Sequence, residues 1–211
     1  MREPPRLTDI SHRYARVPSL RNITLTVEPG TVTALVGGNG SGKSTLLGIL
    51  AGTLRPTSGV AAGIPENTAL VPQHSAAPEL FPVTVRRTVA MGRWRHRGLL
   101  HPLTRRDRDI IDASMRRMGI TDLADRTLSD LSGGQRQRTF IAQGLAQQAP
   151  LLLLDEPLSA VDTTTVTMID KAVREESQAG TTVVIATHHR HQADSADRVI
   201  VLDHGRVAKE A

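Results

Sequence analysis

Thr31-Val32-Thr33-Ala34-Leu35-Val36-Gly37-Gly38-Asn39-Gly40-Ser41-Gly42-Lys43-Ser44-Thr45 is the stretch that decides the fold. Its first six residues form a short β-rich run ending in glycines, and Lys43 to Ala51 then reads as a helix, so a glycine loop joins a strand to a helix. Such glycines let consecutive backbone N–H groups point inward and cradle phosphate oxygens at the positive end of the helix. The residues expected to touch nucleotide are therefore Gly37, Gly38, Asn39, Gly40, Ser41, Gly42, Lys43, Ser44 and Thr45. Lys43 supplies a point charge, and Ser44 the hydroxyl expected on a Mg²⁺ ion bridging the β- and γ-phosphates. A glycine-rich turn that binds nothing is the plain alternative, and the complete GxxxxGKS spacing in this context speaks against it.

The strand pattern around this loop fixes the class. Leu7 to Tyr14 and Asn22 to Val27 read as shorter antiparallel strands, and Ala69-Leu70-Val71-Pro72 as a strand ending at Gln73. From about Pro78 to Pro150 the pattern turns helical: Val83 to Met91, Arg105 to Met118 with an apolar stripe, and Gly133 to Gln147. Strand character returns in Leu151 to Leu154, Thr181 to Ile185 and Val199 to Leu202, with a helix near Thr163 to Gln178. Apolar strands alternating with helices imply a parallel sheet covered on both faces. The expected fold is thus α/β, a P-loop NTPase (RecA-like) core with a small N-terminal antiparallel β region. Residues 1–77 and 151–211 would form the nucleotide-binding core, and 78–150 an inserted helical subdomain.

Composition narrows the classes of function. The 211 residues fit one domain with a substantial core, and too few remain for a second nucleotide-binding domain. Aromatics make up 2%, so the core falls to Leu, Val, Ile and Ala. No apolar run approaches the ~20 residues needed to cross a bilayer, and Met1 to Pro5 lacks a secretory signal, so a cytoplasmic location is expected. With no cysteine there is no disulfide framework and no thiolate chemistry. The net charge of +5 comes mostly from arginines at Arg86-Arg87, Arg93 to Arg97, Arg105-Arg106-Arg108 and Arg116-Arg117. Without interleaved aromatics or a nucleic-acid motif these are read as solvated helix faces, and no nucleic-acid partner is expected.

Leu151 to Leu154 place Asp155 and Glu156 at the carboxyl end of a buried strand, taken to lie beside the P-loop, which is where parallel sheets bind ligands. Asp155 is the natural Mg²⁺ partner. Glu156, one residue on, is the candidate for polarising an attacking water. Leu131-Ser132-Gly133-Gly134-Gln135 is a second glycine segment, in which Ser132 can cap a helix while Gly133 and Gly134 let backbone amides approach a phosphate.

With that pentapeptide in place, the chain resembles the ATP-binding subunit of an ABC transporter over nearly its whole length. The resemblance implies ATP hydrolysis driving transport, with ATP and Mg²⁺ as ligands and Lys43, Glu156 and His188 as the catalytic set. By family position Gln73 senses the γ-phosphate and magnesium, joining Ser44 and Asp155 as metal contacts, and Tyr14 stacks on adenine. Ser159-Ala160-Val161-Asp162 matches the loop that crosses between protomers, and His188 the switch histidine at the γ-phosphate. Ser132, Gly133, Gly134 and Gln135 would face the nucleotide of a second ATP-binding subunit, in a head-to-tail pair. The other implied partners are a transmembrane permease subunit and, indirectly, a periplasmic or lipid-anchored substrate-binding protein, with the chain peripheral on the inner face of the membrane.

Several positions depart from the family pattern: Gly38 for a proline, Gln143 for an arginine, His189 for an aspartate and Val161 for a leucine. None removes a catalytic group. Thr84 to Trp94 and Ala142 to Gln147 are similar to importer ATPases of the manganese, zinc and iron-chelate group, with Trp94 a candidate contact for the membrane subunit. The neighbouring His188, His189 and His191 invite a metal-site reading, yet adjacent histidines offer no convincing chelating geometry. Competing readings are a ribosome- or DNA-associated ATPase of the same family, an importer of another substrate, and a non-catalytic nucleotide sensor.

Overall fold

The computed structural model describes residues 3–73, 83–97, 101–159 and 161–210. Residues 78–82 and 98–100 of the expected helical insertion and Ala160 of the expected crossing loop lie outside them, as does the side chain of Arg97. An antiparallel pair comes first, β1 (Arg6–Tyr14) and β2 (Val17–Thr26), followed by β3 (Val32–Val36), α1 (Lys43–Leu50), β4 (Ser58–Ala62) and β5 (Thr68–Val71). The helical stretch holds α2 (Val85–Met91), a short α3 (Trp94–Arg97), α4 (Arg105–Arg117) and α5 (Gly133–Ala146). The chain returns to the sheet through β6 (Leu151–Asp155), α6 (Thr163–Gln178), β7 (Thr182–Thr187), α7 (Arg190–Asp194), β8 (Arg198–Asp203) and β9 (Arg206–Glu210).

Two sheets result. The larger has the order β5-β6-β7-β3-β8-β9, parallel except for β9, which runs antiparallel to β8. The smaller is antiparallel, β2-β1-β4. The four leucines of β6 show why an uninterrupted apolar run suits a parallel strand. Leu151 and Leu153 enter a core with α1 and the antiparallel sheet, through Leu7, Ile23 and Leu47. Leu152 and Leu154 enter the opposite core, shared with α2, α4, α5 and α6. Alternate side chains thus serve both faces, and burying each leucine stabilises by ~1.5–3 kcal/mol.

Two of the arginines, Arg93 and Arg117, depart from expectation, while Arg86, Arg87, Arg95, Arg105, Arg106, Arg108 and Arg116 are exposed as expected. Arg93, in the turn between α2 and α3, is buried, its Nε donating to Asp107 Oδ1 at 3.0 Å and its Nη1 to the Ala146 carbonyl at 2.9 Å, so it ties that turn and α4 to the end of α5. Arg117 joins α4 to α6 through Glu175 and Glu176, at 3.0 and 2.6 Å, and through the Ala172 carbonyl. A planar guanidinium with five donors can satisfy several acceptors at once, which is why arginine rather than lysine holds these junctions. Among the described residues, no helix is long and apolar enough to cross a membrane.

Candidate functional site

The glycine loop forms as its sequence requires. Gly42 adopts φ +103 at the N-cap of α1, and a Cβ there would lie 2.6 Å from Leu20 Cδ2 and 2.8 Å from the Ser19 carbonyl, so β2 closes over the loop only because the residue is glycine. Lys43 folds back across the loop, its Nζ donating to the carbonyls of Gly37 at 2.7 Å and Gly38 at 3.1 Å. The same Nζ lies 3.3 Å from Glu156 Oε1, with both side chains 6% exposed.

One strand intervenes where none was expected. β6, which carries Asp155 and Glu156, is separated from the P-loop strand β3 by β7. The carboxylates reach the loop nonetheless, because Glu156 leaves the strand in the left-handed region at φ +49, with its N–H donating to the Ala186 carbonyl of β7 at 2.9 Å. A non-glycine residue there is uncommon, and such backbone clusters at sites that must aim a side chain. The strand β7 ends at Thr187 and delivers the third member: His188 Nδ1 stands 2.6 Å from Glu156 Oε2. Lys43, Glu156 and His188 therefore form a continuous polar chain, with one carboxylate oxygen facing each neighbour.

Around the loop lies a cavity of about 340 Å³, lined by Ser19, Asn39 to Thr45, Gln73 and Glu156. Asp155 is buried, and among the described residues its Oδ1 has no hydrogen-bond partner. Burial pushes its carboxyl above the ordinary aspartate value, a hydrogen bond from Ser44 pulls it partly back, Glu156 raises it and Lys43 lowers it. A buried carboxylate with an orphaned oxygen, a hydroxyl bonded to it and an exposed glutamine at the cavity wall make an oxygen donor set suited to a hard divalent cation. Ser44, Gln73 and Asp155 fit Mg²⁺ in that sense.

Tyr14 is half exposed at the end of β1, packed edge-on to His12, with its hydroxyl 3.5 Å from Thr45 Oγ1. Ser19 has no motif to announce it, yet it lines the cavity and its Oγ lies 2.7 Å from Thr45 Oγ1. Only the tertiary docking of β2 on the loop brings it there, so no local pattern could have found it.

The second glycine segment is not brought to this cavity: Ser132, Gly133, Gly134 and Gln135 are absent from its lining. Instead they start α5 with a capping box, the Ser132 hydroxyl accepting from Gln135 N–H and the Gln135 Oε1 accepting from Ser132 N–H at 3.0 Å. Asp162 lies against this helix start; a Cβ on Gly134 would come 3.1 Å from Asp162 Oδ2. Both Asp162 oxygens are engaged by Thr165 at 2.9 Å, capping α6, so its carboxylate is committed to its own helix. Those bonds hold the Asp162 carboxyl below the ordinary value.

The ABC transporter family profile matches residues 20–159. The manganese transport system ATP-binding protein MntA of Synechocystis is 39% identical over 188 residues, 85% of this chain and 72% of the relative. The zinc uptake system ATP-binding protein ZurA of Listeria innocua is 36% identical, over 86% of this chain and 75% of its own. Among solved structures, the dimeric MJ0796, a bacterial ABC transporter cassette, superposes with a TM-score of 0.88 at 27% identity, covering 98% of this chain and 97% of that one. With a phosphate cradle, a paired acidic strand end and a capped LSGGQ helix in one α/β frame, the chain belongs to the ABC transporter family and has the fold of its ATPase cassettes.

Proposed function

We propose that this chain is the ATP-hydrolysing subunit of a membrane importer for a metal ion or metal chelate. One observation carries the chemistry: Glu156 is held between Lys43 and His188 at the mouth of a phosphate cradle. In this reading the loop amides and Lys43 bind the β- and γ-phosphates, and Glu156 orients and polarises the attacking water. His188 steadies the Glu156 carboxylate and contacts the γ-phosphate, and Tyr14 stacks on adenine. Mg²⁺ held by Ser44, Gln73 and Asp155 would neutralise charge between the two terminal phosphates.

The separation of the second glycine segment from the cavity supports a two-chain site. Ser132 to Gln135, with Asp162 behind them, would meet the ATP of a second copy, so that two nucleotides are enclosed at once. Residues 78–150 act as one helical lobe carrying this segment, and its Trp94, 43% exposed, faces a transmembrane permease. The chain is thus peripheral on the inner face of the membrane, served indirectly by a substrate-binding protein outside. Relatives named for manganese transport and zinc uptake motivate the metal cargo.

Steady-state ATP turnover of the Glu156→Gln chain tests the catalytic reading. General acid–base catalysis contributes about 10²–10⁴-fold, so a loss of that order is expected, and a normal rate overturns it. Metal uptake by cells lacking the chain tests the cargo.

A further inference from the structure

His189 follows the switch histidine directly, where an extended chain would send its ring to the opposite side. The structure does otherwise. The chain leaves β7 at Thr187, whose Oγ1 accepts from His189 N–H at 3.0 Å, and the two rings lie 4.2 Å apart at only 32°. One donor atom each from Glu156, His188 and His189 falls within 4.8 Å of the others. Adjacent histidines alone offer no convincing chelating geometry, but here a carboxylate from a different strand lies within reach as a third donor.

The donors differ in kind from those at the phosphate cradle. Two imidazoles and one carboxylate are the ligand set of Zn²⁺ and late first-row divalent ions, whereas Mg²⁺ takes oxygen donors such as Asp155 and Ser44. Three ligands about 2.0–2.2 Å from one ion stand roughly 3.5 Å apart, so the 2.6 Å contact between His188 and Glu156 must open while the wider separations, up to 4.8 Å, close, and the half-exposed His188 can adjust by a rotation. Lys43 is the nearest competing cation, but it sits on Oε1 while His188 meets Oε2, so the ion would take the oxygen that Lys43 leaves. His189 Nε2 is buried with no hydrogen-bond partner, leaving that ring without a competing tether at one nitrogen.

We propose that Glu156, His188 and His189 form an inhibitory site for a late first-row divalent cation, Zn²⁺ foremost. Its occupation takes from Glu156 the oxygen and from His188 the nitrogen that hydrolysis uses, and so arrests turnover. The inhibitory half rests on the proposed catalytic role of Glu156; the binding half does not. A metal importer built this way would slow as free ion accumulates on the ATPase side.

Isothermal titration of ZnCl₂ into the tag-free full chain, with excess Mg²⁺ and no nucleotide, reads the site. The expected result is one ion per chain, with binding weakened at least about tenfold, ~1.4 kcal/mol, in His189→Ala and in the volume-preserving His189→Gln. His191, paired with Asp170 at 3.3 Å, is the control, and His191→Ala should bind as the parent does. The ratio of ATP turnover with and without Zn²⁺ is read in parallel, since a ratio is insensitive to any change in basal rate. Inhibition relieved in both His189 variants supports the proposal. No zinc heat, loss of the heat to millimolar Mg²⁺, or equal binding in folded His189 variants overturns the site. Binding without inhibition overturns the inhibitory half. A chain that binds zinc here but has no ATP turnover overturns the functional reading and that half together, and leaves the site standing.

Discussion

Lys43 and Glu156 are paired at 3.3 Å in a place where both are almost wholly removed from water. The pair is unequal. Lys43 keeps the carbonyls of Gly37 and Gly38 if the glutamate charge is removed, whereas among the described residues the Glu156 carboxylate deprived of Lys43 keeps His188 alone. Glu156→Gln is therefore expected to shift the melting temperature little. Lys43→Met, leaving a buried carboxylate without its cation, is expected to cost up to about 3–5 kcal/mol and to lose nucleotide binding as well. Calorimetric melts with and without ATP check both.

Ser132→Arg should leave ATP binding by the single chain nearly intact while abolishing hydrolysis, because the residue lies away from its own cradle. Loss of the capping box will cost about 1 kcal/mol of stability besides. Fluorescent-nucleotide binding at low protein concentration, set against turnover at high concentration, separates the two effects, and lost binding in the single chain sinks the cross-subunit assignment.

Asp155 works against the fold. Its carboxyl is raised from the ordinary 3.8 chiefly by burial, so the folded chain binds its proton more tightly than the unfolded chain does. Stability linked to this group is present below pH 3.8 and lost as pH rises through the higher folded value. At neutral pH, Asp155→Asn should raise the urea midpoint in the absence of nucleotide while turnover is lost. A lower midpoint would contradict this.

Asp162 shows the opposite sign. Hydrogen bonds from Thr165 lower its carboxyl, so its contribution is present above pH 3.8 and disappears as pH falls through the lower folded value. The stability gap between the parent chain and Asp162→Asn is expected to be open at pH 7 and to narrow in acid, as followed by denaturant melts at several pH values.

Arg93 and Asp107 offer a structural test remote from the nucleotide. Arg93→Met removes a buried donor from Asp107 and from the Ala146 carbonyl, and a loss of about 3–5 kcal/mol is expected in urea unfolding.

How much of this was legible beforehand varied with the kind of information each residue carries. The P-loop, the four leucines of β6, the capped start of α5 and the helix α6 are local patterns, and they lie where their spacing put them. Leu151 to Leu154 could be read as a doubly buried strand because the residues themselves encode both faces. β4, from Ser58 to Ala62, escaped notice because glycine and alanines carry little strand preference, and it pairs with β1 through a partner distant in sequence. β9 reverses direction at the sheet edge, which no count of apolar residues foretells. Strand order was the larger gap: the intercalation of β7 between β3 and β6 is a property of the whole sheet, and it brings His188 to Glu156. Arg93 looked like one more solvated arginine because its acceptors, Asp107 and Ala146, lie far along the chain.

The division of β6 between two cores has a consequence for how the molecule breathes. Backbone amides between Leu151 and Leu154 are bonded to strands on both sides and roofed by apolar side chains above and below, so their hydrogens should exchange with solvent only when the entire chain opens. Asp155 and Glu156 are thus moored to a segment expected to exchange slowly. Gln73 and His188 approach from segments beyond strand ends, where opening is cheap. The histidine meets the Glu156 carboxylate directly and the glutamine lines the same cavity, so the anchored and the terminal parts of the site share one wall.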